Sequence, residues 1–265
     1  MSVYVTKAER GLGGEARIHA FYDLDGTLAD LNLLHATLFF MANLGEWSAR
    51  AGYLARLAFD LPRLYFAERD DRRLLNVRLF ETYRGISRDR LWQLGEEYCE
   101  RVLVRHIYPH AMEVLQANRA AGIEPVLVTG SPDFLVAPLA HLLDIEHFAA
   151  NRLIFSRGRA TGRMRDPVMA GAEKATWCAS FAAAQRVRLA GSWGYADSYY
   201  DLPFLAAVGH PVAVNPDRRL RAAARDRGWP VVQFSHNDNA AGGSARAWLL
   251  EWLGGGGVKN GATGE

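Results

Sequence analysis

Residues 18–27 read IHAFYDLDGT, and this stretch decides the fold. An apolar run suited to a buried strand ends in Asp23 and Asp25, and Gly26 and Thr27 then turn the chain. Because side chains alternate between the two sides of a strand, both acids face one small volume. Such crowding is costly unless a cation or a shared proton relieves it. The alternative is a plain acidic turn, since Asp and Gly are common in turns.

The composition is that of an ordinary globular protein. The chain has 265 residues, 49% of them hydrophobic and 23% charged, with a formal net charge of +2. This balance gives no support for a nucleic-acid partner. Two cysteines without a CxxC pair argue against a disulfide framework or a structural zinc site and favour a reducing cytoplasm. We expect no signal peptide and no transmembrane helix, because no apolar run reaches the required length.

Residues 30–108 read as nearly all helix. Helices are predicted over 31–44, 53–68, 74–83 and 88–104, with Ser87 as the N-cap of the last. About 80 residues of helix between the first two strands are too many for a simple crossover connection. The sequence therefore predicts an inserted all-helical cap over residues 30–108.

Strands and helices alternate from residue 109 onwards. Strands are predicted over 123–128, 187–193, 212–214 and 229–234, helices over 110–121, 133–143, 174–185, 201–208 and 218–227, and a hairpin over 153–165. Repeated βα units favour an α/β fold with a doubly wound, parallel, Rossmann-type sheet. We assign residues 1–29 and 109–250 to this core, and residues 254–265 to a flexible tail.

Polar groups follow several predicted strands or begin a nearby helix. They are Asp23 and Asp25, Thr129 and Gly130, Asp197 and Asp201, and Lys174. The carboxyl ends of parallel strands lie side by side, so these groups can converge on one crevice. Several carboxylates with one lysine and one hydroxyl suit a Mg²⁺-assisted phosphate site, because Mg²⁺ prefers oxygen ligands and phosphate oxygens.

This ordered set resembles the haloacid dehalogenase (HAD) superfamily of phosphohydrolases. The motifs are DxDGT at 23–27, an apolar strand ending in Thr129, a later Lys174, and DSYYD at 197–201. The helical insertion resembles the C1-capped branch that contains phosphoserine phosphatases, and VTGSP and YADSYYDLPFL resemble its prokaryotic subfamily IB. The likeness covers residues 18–235. One DxD is a weak signal, whereas four motifs in order are a strong one.

The resemblance implies a covalent mechanism. Asp23 would attack phosphorus and become an aspartyl phosphate. Asp25 would protonate the leaving alkoxide and then activate the water that hydrolyses the acyl phosphate. The second acid favours the phosphatase branch over the dehalogenase branch, which lacks it.

The resemblance also implies the metal and phosphate ligands. The Mg²⁺ ligands would be the Asp23 carboxylate, the Asp25 backbone carbonyl and Asp197, with Asp201 in support directly or through water. Thr129 Oγ and the Gly130 amide would hold the phosphoryl oxygens, and Lys174 would neutralise charge. Each residue has a plainer alternative: Asp201 as a helix N-cap, Lys174 as a solvated helix-terminal charge and Thr129 as the end of a strand. Ser131 either contacts phosphate or caps the next helix, and we leave it out of the catalytic set.

The substrate is predicted less closely. Phosphoserine phosphatases carry a glutamate nine positions after the nucleophile, where this chain has Asn32, and their cap supplies an arginine near the position of Arg78. Asn32 and Arg78 are therefore candidate substrate residues, while the absent glutamate weighs against phosphoserine; the alternative for Arg78 is a solvent-facing helix arginine. The apolar cap residues favour a helix-bundle core over a site for a lipid phosphate.

The resulting prediction is a cytoplasmic, Mg²⁺-dependent phosphomonoesterase acting on a small organic phosphate. A phosphotransferase or a lipid-phosphate phosphatase would use the same residues, and a non-catalytic binding protein with the same fold is the alternative from another class. The arginine-rich helix over 218–227 is the sole support for nucleic-acid binding, and Asp217 and Asp226 dilute its charge. No nucleic-acid partner is predicted, and the oligomeric state is left open.

Overall fold

The fold is built on a parallel sheet, seen in a computed structural model that describes residues 17–44, 52 and 72–236. Its strands are β1 (His19–Tyr22), β2 (Glu124–Pro132), β3 (His147–Asn151), β6 (Trp193–Ala196), β7 (His210–Val214) and β8 (Val231–Val232). They are ordered β3-β2-β1-β6-β7-β8, and all of these neighbours pair in parallel. A separate antiparallel hairpin joins β4 (Leu153–Ser156) to β5 (Arg159–Met164), as predicted.

The strand order changes direction between β1 and β6. From β1 the sheet grows through β2 to β3, whereas from β6 it grows the other way through β7 to β8. Open α/β sheets bind ligands in the crevice at this switch point, beyond the carboxyl ends of the strands. The residues that follow β1 and β6 therefore lie where a site is expected.

Helices account for most of the remaining described chain. They are α1 (Leu33–Ala42), α2 (Arg72–Glu81), α3 (Arg88–Arg101), α4 (Pro109–Ala120), α5 (Asp133–Leu142), α6 (Ala172–Gln185), α7 (Leu202–Ala206) and α8 (Arg218–Asp226). Ser87 caps α3 as predicted, because its side chain accepts a hydrogen bond from the backbone N–H of Arg90. The predicted helix over 53–68 and the tail over 254–265 lie outside the described residues.

Two hydrophobic cores cover the two faces of the sheet. Tyr22 and Leu127 point into a core shared with α4, α5 and the helices before them. Phe21 and Val126 point into the other core, which α6, α7 and α8 close. This sidedness follows from strand alternation and gives the doubly wound α/β fold that was predicted. No helix among the described residues is long and apolar enough to cross a membrane.

Two strand predictions differ from the structure. The bounds predicted for the strand over 187–193 are wrong. A 3-10 turn occupies Leu189–Gly191, and β6 runs over Trp193–Ala196. Gly194, the first residue after the predicted range, lies inside β6, where a Cβ would stand 2.8 Å from a methyl of Val208. β3 was missed because HFAAN has no β-branched residue and no apolar alternation.

The helices α1, α2 and α3 lie between β1 and α4 in the chain. The segments that lead out of and back to the sheet pair with each other: Asp30 N–H donates to His106 O at 2.8 Å, and Tyr108 N–H donates to Leu28 O at 3.0 Å. The rings of Phe40 and Tyr83 pack on Phe134 of α5, with centroids 5.5 Å and 5.7 Å away. These aromatic residues form core, and the division into cap and core at residues 30 and 108 remains our proposal.

Candidate active site

A buried lysine lies between two aspartates at the crevice. Lys174, in the first turn of α6, places Nζ 2.9 Å from Asp23 Oδ1 and 2.9 Å from Asp201 Oδ1. Its side chain is 4% exposed, so the alternative of a solvated charge is wrong. Burial opposes the charged form, but the charges of Asp201 and Asp23 outweigh it and hold the pKa of Lys174 above its usual value.

Asp23 is the first residue beyond β1. Its backbone N–H donates to Tyr195 O at 3.0 Å, which extends the pairing of β1 with β6. Its Oδ1 accepts a hydrogen bond from the N–H of Leu24 at 2.9 Å as well as from Lys174. The carboxylate is 2% exposed and is thus fixed in position by the strand end and by the lysine.

Three carboxylates form a candidate metal centre. Ligand oxygens of Asp23, Asp197 and Asp201 all lie within 4.8 Å of one another. Hard oxygen donors at this separation suit Mg²⁺. Asp201 directs its carboxylate to Lys174 and makes no side-chain cap to α7, so the alternative of a simple N-cap is wrong. The carboxylate of Asp25 is not a member of this group, and its backbone carbonyl as a ligand stays a prediction.

Two features hold Asp197 against the end of β1. Gly26, with φ at +76°, leaves no room for a side chain, since a Cβ there would collide with the Asp197 carboxylate. Asp217 accepts a hydrogen bond from Tyr199 N–H at 2.8 Å and donates its own N–H to Asp197 O at 2.9 Å. The same aspartate caps α8 through Leu220 N–H at 2.7 Å, so the helix supports the 197–201 loop.

The segment Thr129–Ser131 forms the opposite side of the crevice. Thr129 is fully buried, and its Oγ1 accepts from Ser131 N–H at 3.1 Å, which leaves the hydroxyl proton free to be donated. Gly130 O accepts from Asn151 Nδ2 at 2.7 Å, and Asn151 Oδ1 accepts from Met169 N–H at 2.7 Å. Asn151, at the end of β3, therefore fixes this loop; it was missed because β3 was missed.

Asp25 is held by a residue that was left out of the predicted site. Ser131 Oγ donates to Asp25 Oδ2 at 2.7 Å, and it makes no cap to α5. Tyr83 and Tyr98 of the helical segment lie nearby: burial raises the pKa of both phenols above the ordinary value, and the charge of Asp25 raises them further. The second acid thus sits where the sheet meets the helical segment between β1 and α4.

The two predicted substrate residues, Asn32 and Arg78, are more exposed to solvent than Asp23 and Lys174. Asn32 is exposed and caps α1 by accepting from His35 N–H at 3.2 Å. Arg78 is half exposed and lies 3.4 Å from Glu81. Their roles in binding stay predictions. Asn76, on the same helix as Arg78, is buried against Gly130 and was not singled out from the sequence, because nothing in its local pattern points there.

The fold and these side chains define a Rossmann-type α/β protein with a carboxylate–lysine centre at its switch point. The model of the haloacid dehalogenase-like hydrolase family matches residues 20–206. The chain belongs to that family, which confirms the recognition drawn from the motifs.

Relatives and a solved structure agree with this assignment. A Mycobacterium tuberculosis protein named "Probable phosphatase" is 32% identical over 226 residues, covering 85% of this chain and 78% of the relative. A phosphoserine phosphatase from the same organism is 35% identical, covering 57% and 49%. A histidinol-phosphatase of Neisseria meningitidis is 32% identical, covering 56% and 68%. A Bordetella pertussis protein of unknown function has a similar structure, with a TM-score of 0.72 and 28% identity over 82% of this chain and 99% of its own.

Proposed function

We propose that this hydrolase is a Mg²⁺-dependent phosphomonoesterase that acts on a small organic phosphate through an aspartyl phosphate on Asp23. The observation that carries the proposal is the pair of 2.9 Å contacts from Lys174 to Asp23 and Asp201, beside the third carboxylate of Asp197. Membership of a hydrolase family and the phosphatase names of relatives support a phosphoric monoester hydrolase.

The described carboxylates fit the metal. Asp23, Asp197 and Asp201 would hold Mg²⁺, with the Asp25 carbonyl as a further ligand. When bound, Mg²⁺ supplies positive charge that polarises the phosphoryl group.

Asp23 has the position of a nucleophile. One of its oxygens is occupied by Lys174 and Leu24, so the carboxylate is held in a fixed orientation. As its oxygen bonds to phosphorus, the bond from phosphorus to the leaving oxygen breaks, and Asp25 gives that oxygen its proton. Asp25 then removes a proton from water as the water oxygen attacks phosphorus, and the Asp23 carboxylate and inorganic phosphate are released.

The remaining groups hold the phosphoryl oxygens. The Thr129 hydroxyl is free to donate because its oxygen already accepts from Ser131 N–H. The Gly130 amide would be a second donor, and Lys174 would offset the negative charge that Asp23 and phosphate share. Ser131, through its 2.7 Å hydrogen bond, orients the Asp25 carboxylate for both proton transfers.

Substrate and location are proposed at a coarser level. Relatives with different substrate names, phosphoserine and histidinol phosphate, match similar shares of this chain, so we propose only a small phosphomonoester. Both cysteines, Cys99 and Cys178, are buried free thiols, which fits the proposed reducing cytoplasm.

Hydrolysis of p-nitrophenyl phosphate tests the proposal. We expect turnover that requires Mg²⁺, stops with EDTA and falls at least about a thousandfold in Asp23→Asn. Asp226→Asn, which removes an exposed carboxylate at the end of α8, is the matched control and keeps wild-type turnover. Full activity of Asp23→Asn would refute the mechanism.

A further inference from the structure

Helix α2 places one polar side chain directly over the proposed phosphate loop. A Cβ built on Gly130 would stand 2.7 Å from Nδ2 of Asn76, so the amide occupies the space that a side chain at residue 130 would need. Asn76 is 7% exposed, although it lies in the helical segment and Gly130 lies at the end of β2. The two parts of the chain therefore meet at this amide.

The Asn76 amide makes no hydrogen bond to any residue in the part of the chain that the structure describes. Its polar atoms are not among the sealed, unpartnered side-chain atoms of the described residues, so the amide is open to solvent and can donate to a ligand in the crevice. Asn151 bonds on both sides of its amide, whereas Asn118 donates to Tyr22 Oη at 2.6 Å and leaves its buried Oδ1 without a partner. Asn76 differs from both in that its Nδ2 lies at the crevice, beside Gly130.

Arg78 does not share this position. Residues two apart on an α-helix point about 200° apart around its axis, so Arg78 faces away from the direction of Asn76. Its side chain is 50% exposed and pairs with Glu81. The residue of α2 that reaches the crevice is thus a neutral amide and not this cation.

We propose that Asn76 is a substrate-binding residue whose Nδ2 donates a hydrogen bond to an oxygen of the phosphoryl group bound at Thr129 and Gly130. The proposal rests on the phosphatase function above and adds to it a ligand from the inserted helices. The missing partner of the amide is then the phosphate itself. Because the donor comes from α2, a bound phosphate joins the helical segment to the sheet.

Binding of inorganic phosphate, measured by calorimetry with Mg²⁺ present, tests the proposal together with turnover of p-nitrophenyl phosphate. Asn76→Ala is expected to weaken phosphate binding about tenfold to a hundredfold, which is typical for one hydrogen bond to a charged group. Asn76→Asp, of the same shape, is expected to weaken it further, because a carboxylate repels phosphate. The control is Val77→Ala, one residue along the same helix and half buried, with unchanged affinity.

Thermal melting separates binding from a structural role. Because the Asn76 amide makes no hydrogen bond to the described residues, Asn76→Ala is expected to leave the melting temperature unchanged, whereas loss of a structural hydrogen bond would lower it. If the wild-type chain hydrolyses the ester and both Asn76 variants bind phosphate with wild-type affinity, only this inference is overturned. A wild-type chain that binds phosphate without hydrolysing the ester would overturn the proposed function, and the affinities of the variants would still decide the role of Asn76. If the wild-type chain neither hydrolyses the ester nor binds phosphate, both proposals are overturned.

Discussion

At the scale of single residues, the centre depends on the balance of charge around Lys174. The lysine is nearly excluded from water and contacts two carboxylates. Burial of one charge costs several kcal/mol unless an opposite charge compensates it, and burial of two acids without a cation costs more. Lys174 is therefore a structural counter-charge as well as a proposed catalytic group.

Replacement of Lys174 by Met should reveal both roles. In EDTA, Asp23 and Asp201 would lose their counter-charge, and we expect the free energy of unfolding in urea to fall by about 3–5 kcal/mol. Saturating Mg²⁺ should recover part of that loss, because the ion supplies positive charge to the same carboxylates. Arg225→Met, at an exposed cation of α8, serves as the control and should change little. Wild-type stability of Lys174→Met in EDTA would contradict this role.

At the scale of elements, the turn after β1 and the strand β6 depend on each other. Gly26 permits Asp197 to approach because it has no Cβ and because its φ of +76° is readily adopted only by glycine. Gly122, after α4, has the same φ of +76°, but a Cβ there would meet nothing within 4 Å. The two positions share a backbone conformation that would strain any residue with a Cβ, and they differ in the collision.

This pair allows a matched test of the metal centre. Gly26→Ala and Gly122→Ala should each lose about 1 kcal/mol of stability from the strained backbone. Gly26→Ala should in addition weaken Mg²⁺ activation about tenfold or more, since its methyl displaces the Asp197 carboxylate, whereas Gly122→Ala should retain wild-type activation. Mg²⁺ titration of phosphatase activity provides the measurement. Equal Mg²⁺ dependence in the two variants would show that the approach of Gly26 to Asp197 is unimportant.

At the scale of the whole molecule, a buried histidine of strand β1 couples folding to pH. His19 of β1 packs near Phe21 and Phe181, with ring centroids 6.3 Å and 5.7 Å away. Burial, followed by the charges of His147 and Arg17, lowers the pKa of His19 from 6.5 to about 4. The folded chain thus resists a proton that the unfolded chain accepts below pH 6.5.

The sign of the resulting pH effect follows from linkage. The stabilisation that comes with neutral His19 is complete above pH 6.5 and is lost as the pH falls towards 4, by up to about 3 kcal/mol. His19→Leu should therefore flatten the fall in unfolding free energy between pH 7 and pH 4.5, measured in urea. The control His141→Leu, at an exposed histidine of α5, should keep the wild-type slope. An unchanged slope in His19→Leu would exclude His19 as the source.

The sequence predicted the part of the site that follows strands of one sheet. Asp23, Thr129 and Asp197 could be placed together because parallel strands deliver their ends to one edge, and Lys174 was placed there as the start of a nearby helix. Ser131 could not be assigned, because the sequence does not show whether its hydroxyl turns to Asp25, to phosphate or to the next helix. Asn76 could not be placed, because its position depends on how the helices sit on the sheet, and this packing leaves no periodic signal. The strand preceding Asp197 was predicted over 187–193, too early in the chain, yet the alternation of strands and helices still located the aspartate.

The central claim is that Asp23 carries the phosphoryl group during turnover. Quenching the enzyme in acid during turnover of p-nitrophenyl phosphate, reducing it with borohydride and mapping its peptides by mass spectrometry tests this most directly, because borohydride converts an acyl phosphate to the alcohol. The account predicts homoserine in place of Asp23, with Asp25, Asp197 and Asp201 unmodified, and a larger modified fraction in Asp25→Asn, where hydrolysis of the intermediate is slowed. Steady turnover with an unmodified Asp23 in both proteins would contradict it.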